Sequence, residues 1–153
     1  MKANIAFMYG PKDLRIENVE VPELKPNQIL IKTKACGICG SDVHCYLGES
    51  AEGRYDIAPY TPGHEVGGQV IGIGSDVSTF KVGDKVTAEC VLACGHCANC
   101  KEGLMPSACL NFRELGFRPD SPGGMGEYIV IEEEYAYKIP DDWSYDWGAW
   151  VET

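Results

Sequence analysis

Residues 62–86 read "PGHEVGGQVIGIGSDVSTFKVGDKV", and two folds compete for them. The glycines of "GIGSDV" suggest a phosphate-binding turn, which takes G-x-G-x-x-G between a strand and a helix. Here position 77 is Val and "STFKVGD" carries no helical pattern, so the dinucleotide reading fails. What remains is β structure. "EVGGQVIGIG" is a Gly-interrupted strand, the kind that bends or is approached closely by another backbone. "FKVGDKVTAEC" reads as strand, Gly-Asp turn, strand.

Working outward, "KANIAFM" and "LRIENVEV" read as short strands, and "PELKPNQ" as a Pro-punctuated loop. "ILIKTKA" alternates apolar and polar, which suits a half-buried strand. Ser41 to Leu47 suits a short helix capped by Ser41 or Asp42. "AEGRYDIAPYTPG" is loop, residues 91–126 are irregular, and "EYIVIEEEYAYKI" is strand again. Its acids at 132–134 read as a solvated strand end. "DWSYDWGAWVE" predicts a helix starting near Asp142 or Ser144. Its tryptophans at 143, 147 and 150 suit a core or a domain contact. No repeat, low-complexity segment or linker interrupts the pattern. Many short strands with turn signals predict a mainly β fold, barrel or sandwich. The end at "WVET" reads as a cut inside a longer protein.

Composition narrows the function classes. The 153 residues suffice for one domain with a core. A net charge of -10 without a basic cluster excludes nucleic acid and anionic membrane as partners. No apolar run approaches the ~20 residues of a membrane helix, and "MKANIAFMYG" lacks a secretory h-region. A cytoplasmic location follows as the expectation. There, eight cysteines read as metal ligands and free thiols rather than disulfides.

The cysteines fall into two groups. "CGHCANCKEGLMPSAC" places Cys94, Cys97, Cys100 and Cys109 as C-x2-C-x2-C-x8-C. Four thiolates so spaced predict a closed, structural zinc site; the alternative is free thiols in a loop. His96 lies inside this run as an exposed loop residue. The second group is "ACGICGSDVHCY", residues 35–46, where Cys36 and Cys39 form a C-x-x-C. That spacing suits a redox dithiol, half of a zinc clip, or neither. A catalytic zinc needs three protein ligands and one open position. The chain supplies Cys39, His64 and an acid, Glu65 or Glu152.

"GICGSDVH", "PGHEVGGQVIGIGSDV", "FKVGDKV" and the four-cysteine lobe, in that order, resemble the catalytic domain of the zinc-dependent medium-chain alcohol dehydrogenases. The resemblance covers essentially the whole chain and is nearest to the polyol and sugar branch, which includes sorbitol, butanediol and threonine dehydrogenases. It implies that residues 1–153 form a GroES-like, partly open β-barrel with a few short helices and a zinc lobe. It also implies a Rossmann domain after residue 153 that binds NAD or NADP, a polyol, sugar or cyclitol substrate oxidised to a ketone, and a dimer or tetramer.

Residue by residue, the resemblance implies that Cys39 and His64 ligate the catalytic zinc. Glu65 either ligates it or stands just behind, and Asp42 is the carboxylate that orients the ligand imidazole. Glu152 occupies the third-ligand position, where the polyol branch has glutamate in a Val-Glu-Pro run. Here Thr153 replaces that proline. The gap from Cys100 to Cys109 is eight residues where the family has seven. Ser41 and His44 resemble a proton relay running from the alcohol through the cofactor ribose to solvent, while hydride leaves for the nicotinamide. Cys36, Cys45 and Cys90 read as packing residues. Two other classes stay open: a standalone zinc-binding GroES-like module with a binding or scaffold role, and a thiol-based redox or metal-buffering protein.

Overall fold

The computed structural model describes residues 1–49 and 58–153. The part of the expected "AEGRYDIAPYTPG" loop at 51–57 lies outside the described residues. β1 (Lys2–Gly10) and β2 (Asp13–Glu20) form an antiparallel hairpin. It joins the body through bridges Ile5–Gly126 and Met8–Tyr60. The body is one antiparallel sheet of β3 (Gln28–Cys36), β4 (Val66–Ile73), β5 (Lys85–Ala88), β8 (Tyr128–Glu132) and β9 (Ala136–Lys138). Its order is β8-β3-β4-β5-β9. β6 (Val91–Leu92) and β7 (Arg113–Glu114) make a small separate ribbon.

That order forces the sheet to curl. β8 and β9 occupy opposite edges, yet Glu132 and Ala136 are joined by a single 3-10 turn, Glu133–Tyr135. Four residues reach at most ~14 Å, whereas a flat five-stranded sheet sets its edges ~19 Å apart. The sheet therefore closes on itself as a partly open barrel. Its interior holds Ile29 and Ile31 of β3, Val66 and Val70 of β4, Val86 of β5, and Ile129 and Ile131 of β8. The register pairs Ile29 with Ile131 and Ile31 with Ile129. The i, i+2 spacing puts all four on one face. Each such side chain, fully buried, stabilises by about 1.5–3 kcal/mol.

Several expectations need correction. "EYIVIEEEYAYKI" is two strands, because the barrel must turn a corner at Glu133. The acids there are not simply solvated: the Glu133 carboxylate accepts the backbone N–H groups of Ser78 and Thr79 at 3.3 and 3.0 Å. "FKVGDKV" contributes only β5. Asp84 accepts from the Lys81 backbone N–H at 3.0 Å, and Gly83 has φ +100°, so the chain turns before it can extend.

α3 (Tyr145–Trp150) starts where the sequence predicts, with the Ser144 hydroxyl accepting the Trp147 N–H at 3.3 Å. It lies on β4 at Gly67, where a Cβ would collide with the Tyr145 carbonyl and sit 3.0 Å from Ala149 N. This is the close backbone approach that the Gly-interrupted strand suggests. The inward face of α3 belongs to Gly148 and Ala149. Its tryptophans Trp147 and Trp150 consequently face outward rather than into the core, 59% and 67% exposed, and Trp143 just before the helix is 38% exposed.

Candidate metal centres

β3 ends at Cys36, and the chain then enters α1 (Gly40–Leu47). The cap of α1 is Cys39, with φ -71° and ψ 155°, rather than Ser41 or Asp42. Asp42 stands at the third helical position and reaches back, its Oδ2 accepting the Cys39 N–H at 3.2 Å, which is half of a capping box. Its Oδ1 accepts the Gly63 N–H at 3.3 Å. Asp42 thus ties the start of α1 to the Pro-Gly turn that delivers His64.

His64 is 3% exposed and lies against Phe117, ring centroids 5.0 Å apart. Its Nδ1 is 3.9 Å from Asp42 Oδ2 and has no hydrogen-bond partner among the described residues. Glu65 is buried beside it, and its carboxylate occupies the space a Cβ at Gly37 would fill. The Gly37 N–H donates to the Glu65 carbonyl at 2.9 Å. The Cys39 thiol, a His64 ring nitrogen and a Glu65 oxygen all lie within 4.8 Å of one another. One thiol and one carboxylate beside a buried imidazole whose Nδ1 is unpartnered are the donor chemistry that zinc takes.

A second set shares the same histidine. His64, Cys90 and Glu152 also have donor atoms within 4.8 Å of one another. Cys90 follows β5, and Glu152 follows α3. The Gly67 contact that seats α3 therefore also places Glu152. The packing role expected of Cys90 is incomplete, because its sulfur lies within 4.8 Å of a Glu152 carboxylate oxygen and a His64 ring nitrogen. Burial, then the negative charges of Glu152 and Glu114, push that thiol up to about 12. No local pattern in the sequence marks Cys90, since only the folded chain brings 64, 90 and 152 together. Cys36 is different: burial, then Asp42 and Glu65, push it up to about 12, and it packs against the barrel core. Cys45 is buried on α1.

Ser41 lies half-buried in the first turn of α1. His44 is exposed near its end, with Nδ1 3.0 Å from Glu49 Oε2. No hydrogen bond joins Ser41 to His44 among the described residues.

The cysteine lobe brings its four members together, with all sulfurs within 4.8 Å of one another. Cys97 Sγ is 3.4 Å from Cys100 Sγ and 3.9 Å from Cys109 Sγ. A Zn–S bond of about 2.3 Å in a tetrahedron sets sulfurs ~3.8 Å apart, so the cluster fits zinc. α2 (Ala98–Lys101) carries Cys100, and a 3-10 turn at Pro106–Ala108 brings Cys109 back across the eight-residue gap. Asn99 Nδ2 clamps the return by donating to the Ala108 carbonyl at 2.7 Å. Cys109 Sγ accepts the N–H groups of Cys94 and Asn111 at 3.3 and 3.4 Å.

Within the cluster, the backbone N–H groups of Leu110 and Cys100 draw the Cys97 thiol down to about 6. Cys100, hydrogen-bonded to Cys97, is pushed up to about 12. His96 stays outside the cluster, exposed, with Nδ1 2.6 Å from the Cys94 carbonyl. None of the eight cysteines forms a disulfide.

A curled antiparallel barrel, a four-sulfur lobe and a Cys-His-Glu cluster at the barrel mouth are now in place. Residues 25–141 match the alcohol dehydrogenase GroES-like domain. The chain belongs to that family. It is 38% identical over 153 residues to a sorbitol dehydrogenase of Bacillus subtilis, covering 99% of this chain and 42% of the relative. It is 42% identical over 149 residues to the L-threonine 3-dehydrogenase of Escherichia coli K12, covering 97% of this chain and 42% of that protein.

Among solved structures, a short chain alcohol dehydrogenase of E. coli CFT073, complexed with NADH, superposes with a TM-score of 0.86. That pair is 31% identical over 99% of this chain and 42% of the other. The chain thus spans about two fifths of the length of these relatives. Among the described residues of this GroES-like domain, no helix is long and apolar enough to cross a membrane.

Proposed function

We propose that this GroES-like domain is the zinc-carrying part of an NAD(P)-dependent dehydrogenase. Its substrate is a secondary alcohol of a polyol, sugar or cyclitol, which it oxidises to the ketone. The observation that carries this reading is the donor cluster of half-buried Cys39 with buried His64 and Glu65, separate from the four-cysteine lobe. The lobe is closed and structural. The cluster offers three donors and so leaves a position for substrate. The share of the relatives' length that the chain spans supports a cofactor domain following residue 153 in the whole protein, which acts in the cytoplasm as a homo-oligomer.

Zinc held by Cys39, His64 and Glu65 or Glu152 supplies Lewis acidity towards an alcohol oxygen. The chain's own residues do the rest. Asp42, held by the Cys39 and Gly63 N–H groups, orients His64 through its charge. Phe117 and the barrel wall keep water from the imidazole. The Ser41 hydroxyl, at the open start of α1, accepts the alcohol proton and passes it on. His44 then receives it at a ring nitrogen in solvent, where the Glu49 carboxylate 3.0 Å away steadies the charge. Hydride transfer itself is the chemistry of the nicotinamide.

The test is Cys39→Ser in the full-length enzyme, assayed on a panel of polyols. Loss of dehydrogenase activity with the fold retained is expected. Unchanged kinetics would overturn the assignment. Zinc content separates this reading from a standalone zinc module: two ions per chain, one removed by mild chelation, are expected here, against one tightly held ion for the module.

A further inference from the structure

We propose that Cys90 is a metal donor of the same centre, so that His64 serves two overlapping donor sets, one with Cys39 and Glu65 and one with Cys90 and Glu152. The inference rests on the metal centre described under Proposed function and extends it to a residue that family resemblance leaves as packing.

Both sets meet the same distance condition, donor atoms within 4.8 Å of one another, and both contain the buried imidazole. Tetrahedral zinc with ligand bonds of about 2.0–2.3 Å needs donors ~3.3–3.8 Å apart, which small side-chain adjustments reach from either set. The five donors come from four places in the fold: the cap of α1, the lead into β4, the end of β5 and the end of α3. The two sets meet at His64, and an ion that takes the three donors of either keeps a fourth position for substrate. Cys90 is not on a loose loop, for its carbonyl accepts the N–H of fully buried Leu115 at 2.9 Å.

The neighbouring Glu89 N–H donates to the Tyr135 carbonyl at 2.8 Å. Cys90 and Glu152 also line a cavity of about 270 Å³ with Thr87, Glu89 and Tyr137. Thr87, 3% exposed, has an Oγ1 without a hydrogen-bond partner among the described residues. The second set is therefore reachable by a small ion. Its occupation exchanges the thiol proton of Cys90 for the ion and releases that proton to water. An ion in this set is held by the Cys90 thiolate, where the first set offers that of Cys39.

The number of thiolates is directly measurable. The chain is loaded with cadmium-113 and its metal resonances are recorded, since cadmium shifts move downfield with each added thiolate. Two resonances are expected, one from the four-sulfur lobe and one far upfield of it, in the range of a single thiolate. Cys90→Ser should move only the second, upfield, and weaken that ion by at least about tenfold. A second resonance that shifts in Cys39→Ser but ignores Cys90→Ser would overturn the proposal and leave the zinc centre standing. Absence of any second resonance would remove both.

If the variant fails to fold, seen as loss of the lobe resonance, alkylation of the unmutated chain decides. Cys90 should be labelled by iodoacetamide more slowly with cadmium bound than without. Equal rates would overturn the proposal.

Discussion

His64 Nδ1 lies 3.9 Å from Asp42 Oδ2, and both side chains are buried. The gap is too long for a hydrogen bond, yet no other acceptor serves that nitrogen among the described residues. Asp42 is held from the other side by the N–H groups of Cys39 and Gly63. A carboxylate so fixed orients the imidazole by charge rather than by close contact. We expect Asp42→Asn, which keeps shape and capping capacity, to weaken the more labile zinc by about 10–100-fold. The far-ultraviolet spectrum should be unchanged. Competition with a chelator measures the first and circular dichroism the second. Unaltered affinity would reduce Asp42 to a helix cap.

The cysteine lobe has almost no apolar interior of its own, since Leu104, Met105 and Leu110 are all exposed. Its order then depends on the metal. Cys97→Ser removes the sulfur that backbone N–H groups favour most as thiolate. Loss of a structural metal belongs to the class of changes that cost about 3 kcal/mol or more. Thermal unfolding in zinc-replete buffer should shift down accordingly, and chelation should lower the parent protein towards the same point. Unchanged unfolding of Cys97→Ser would mean that the lobe is not a zinc site.

The alternation of Ile29 and Ile31 makes β3 legible, and the spacing of the four lobe cysteines makes that cluster legible, because both signals are local. What the sequence hides is tertiary. Cys90 gains meaning only when α3 settles on Gly67 and brings Glu152 beside it. The break at Glu133 follows from barrel closure, which no local propensity encodes. The cap at Cys39 is obscured because Ser41 and Asp42 are the stronger cap formers. The tryptophans at near-helical spacing look like a core stripe until the small residues Gly148 and Ala149 take the inward face of α3.

That seat of α3 can be tested at one atom. Gly67→Ala places a methyl against the Tyr145 carbonyl and 3.0 Å from Ala149 N. Both are backbone groups that cannot swing aside. Overpacking of this kind costs about 1–3 kcal/mol, and relief requires α3 to lift. We expect a matching loss of stability in urea unfolding, with altered fluorescence from Trp147 and Trp150. Glu152 directly follows the same helix, so the labile zinc should also bind more weakly, while the cysteine lobe keeps its ion. An unchanged zinc affinity would mean that Glu152 takes no part in the centre.

Asp84 supplies a pH dependence remote from either metal. Burial raises its carboxyl, but hydrogen bonds from the Lys81 side chain and backbone, and from Lys138, outweigh it and draw the group down to about 2. The two ammonium groups stand 2.6 and 3.0 Å away. A carboxyl lowered by folding favours the native state above its ordinary value near 3.8. That contribution is lost as pH falls through about 2. The full shift would correspond to about 2 kcal/mol. Because Lys81 and Lys138 are 79% and 49% exposed, solvent screening reduces this to about 1 kcal/mol. Asp84→Asn should therefore lose about that much stability at pH 7, and the gap between parent and variant should narrow between pH 4 and pH 2. It should also shrink in 1 M salt. Urea titrations at pH 7, 4 and 2.5 measure both trends. A gap that held constant across this range would assign the cost to packing at the turn rather than to the lysine pair.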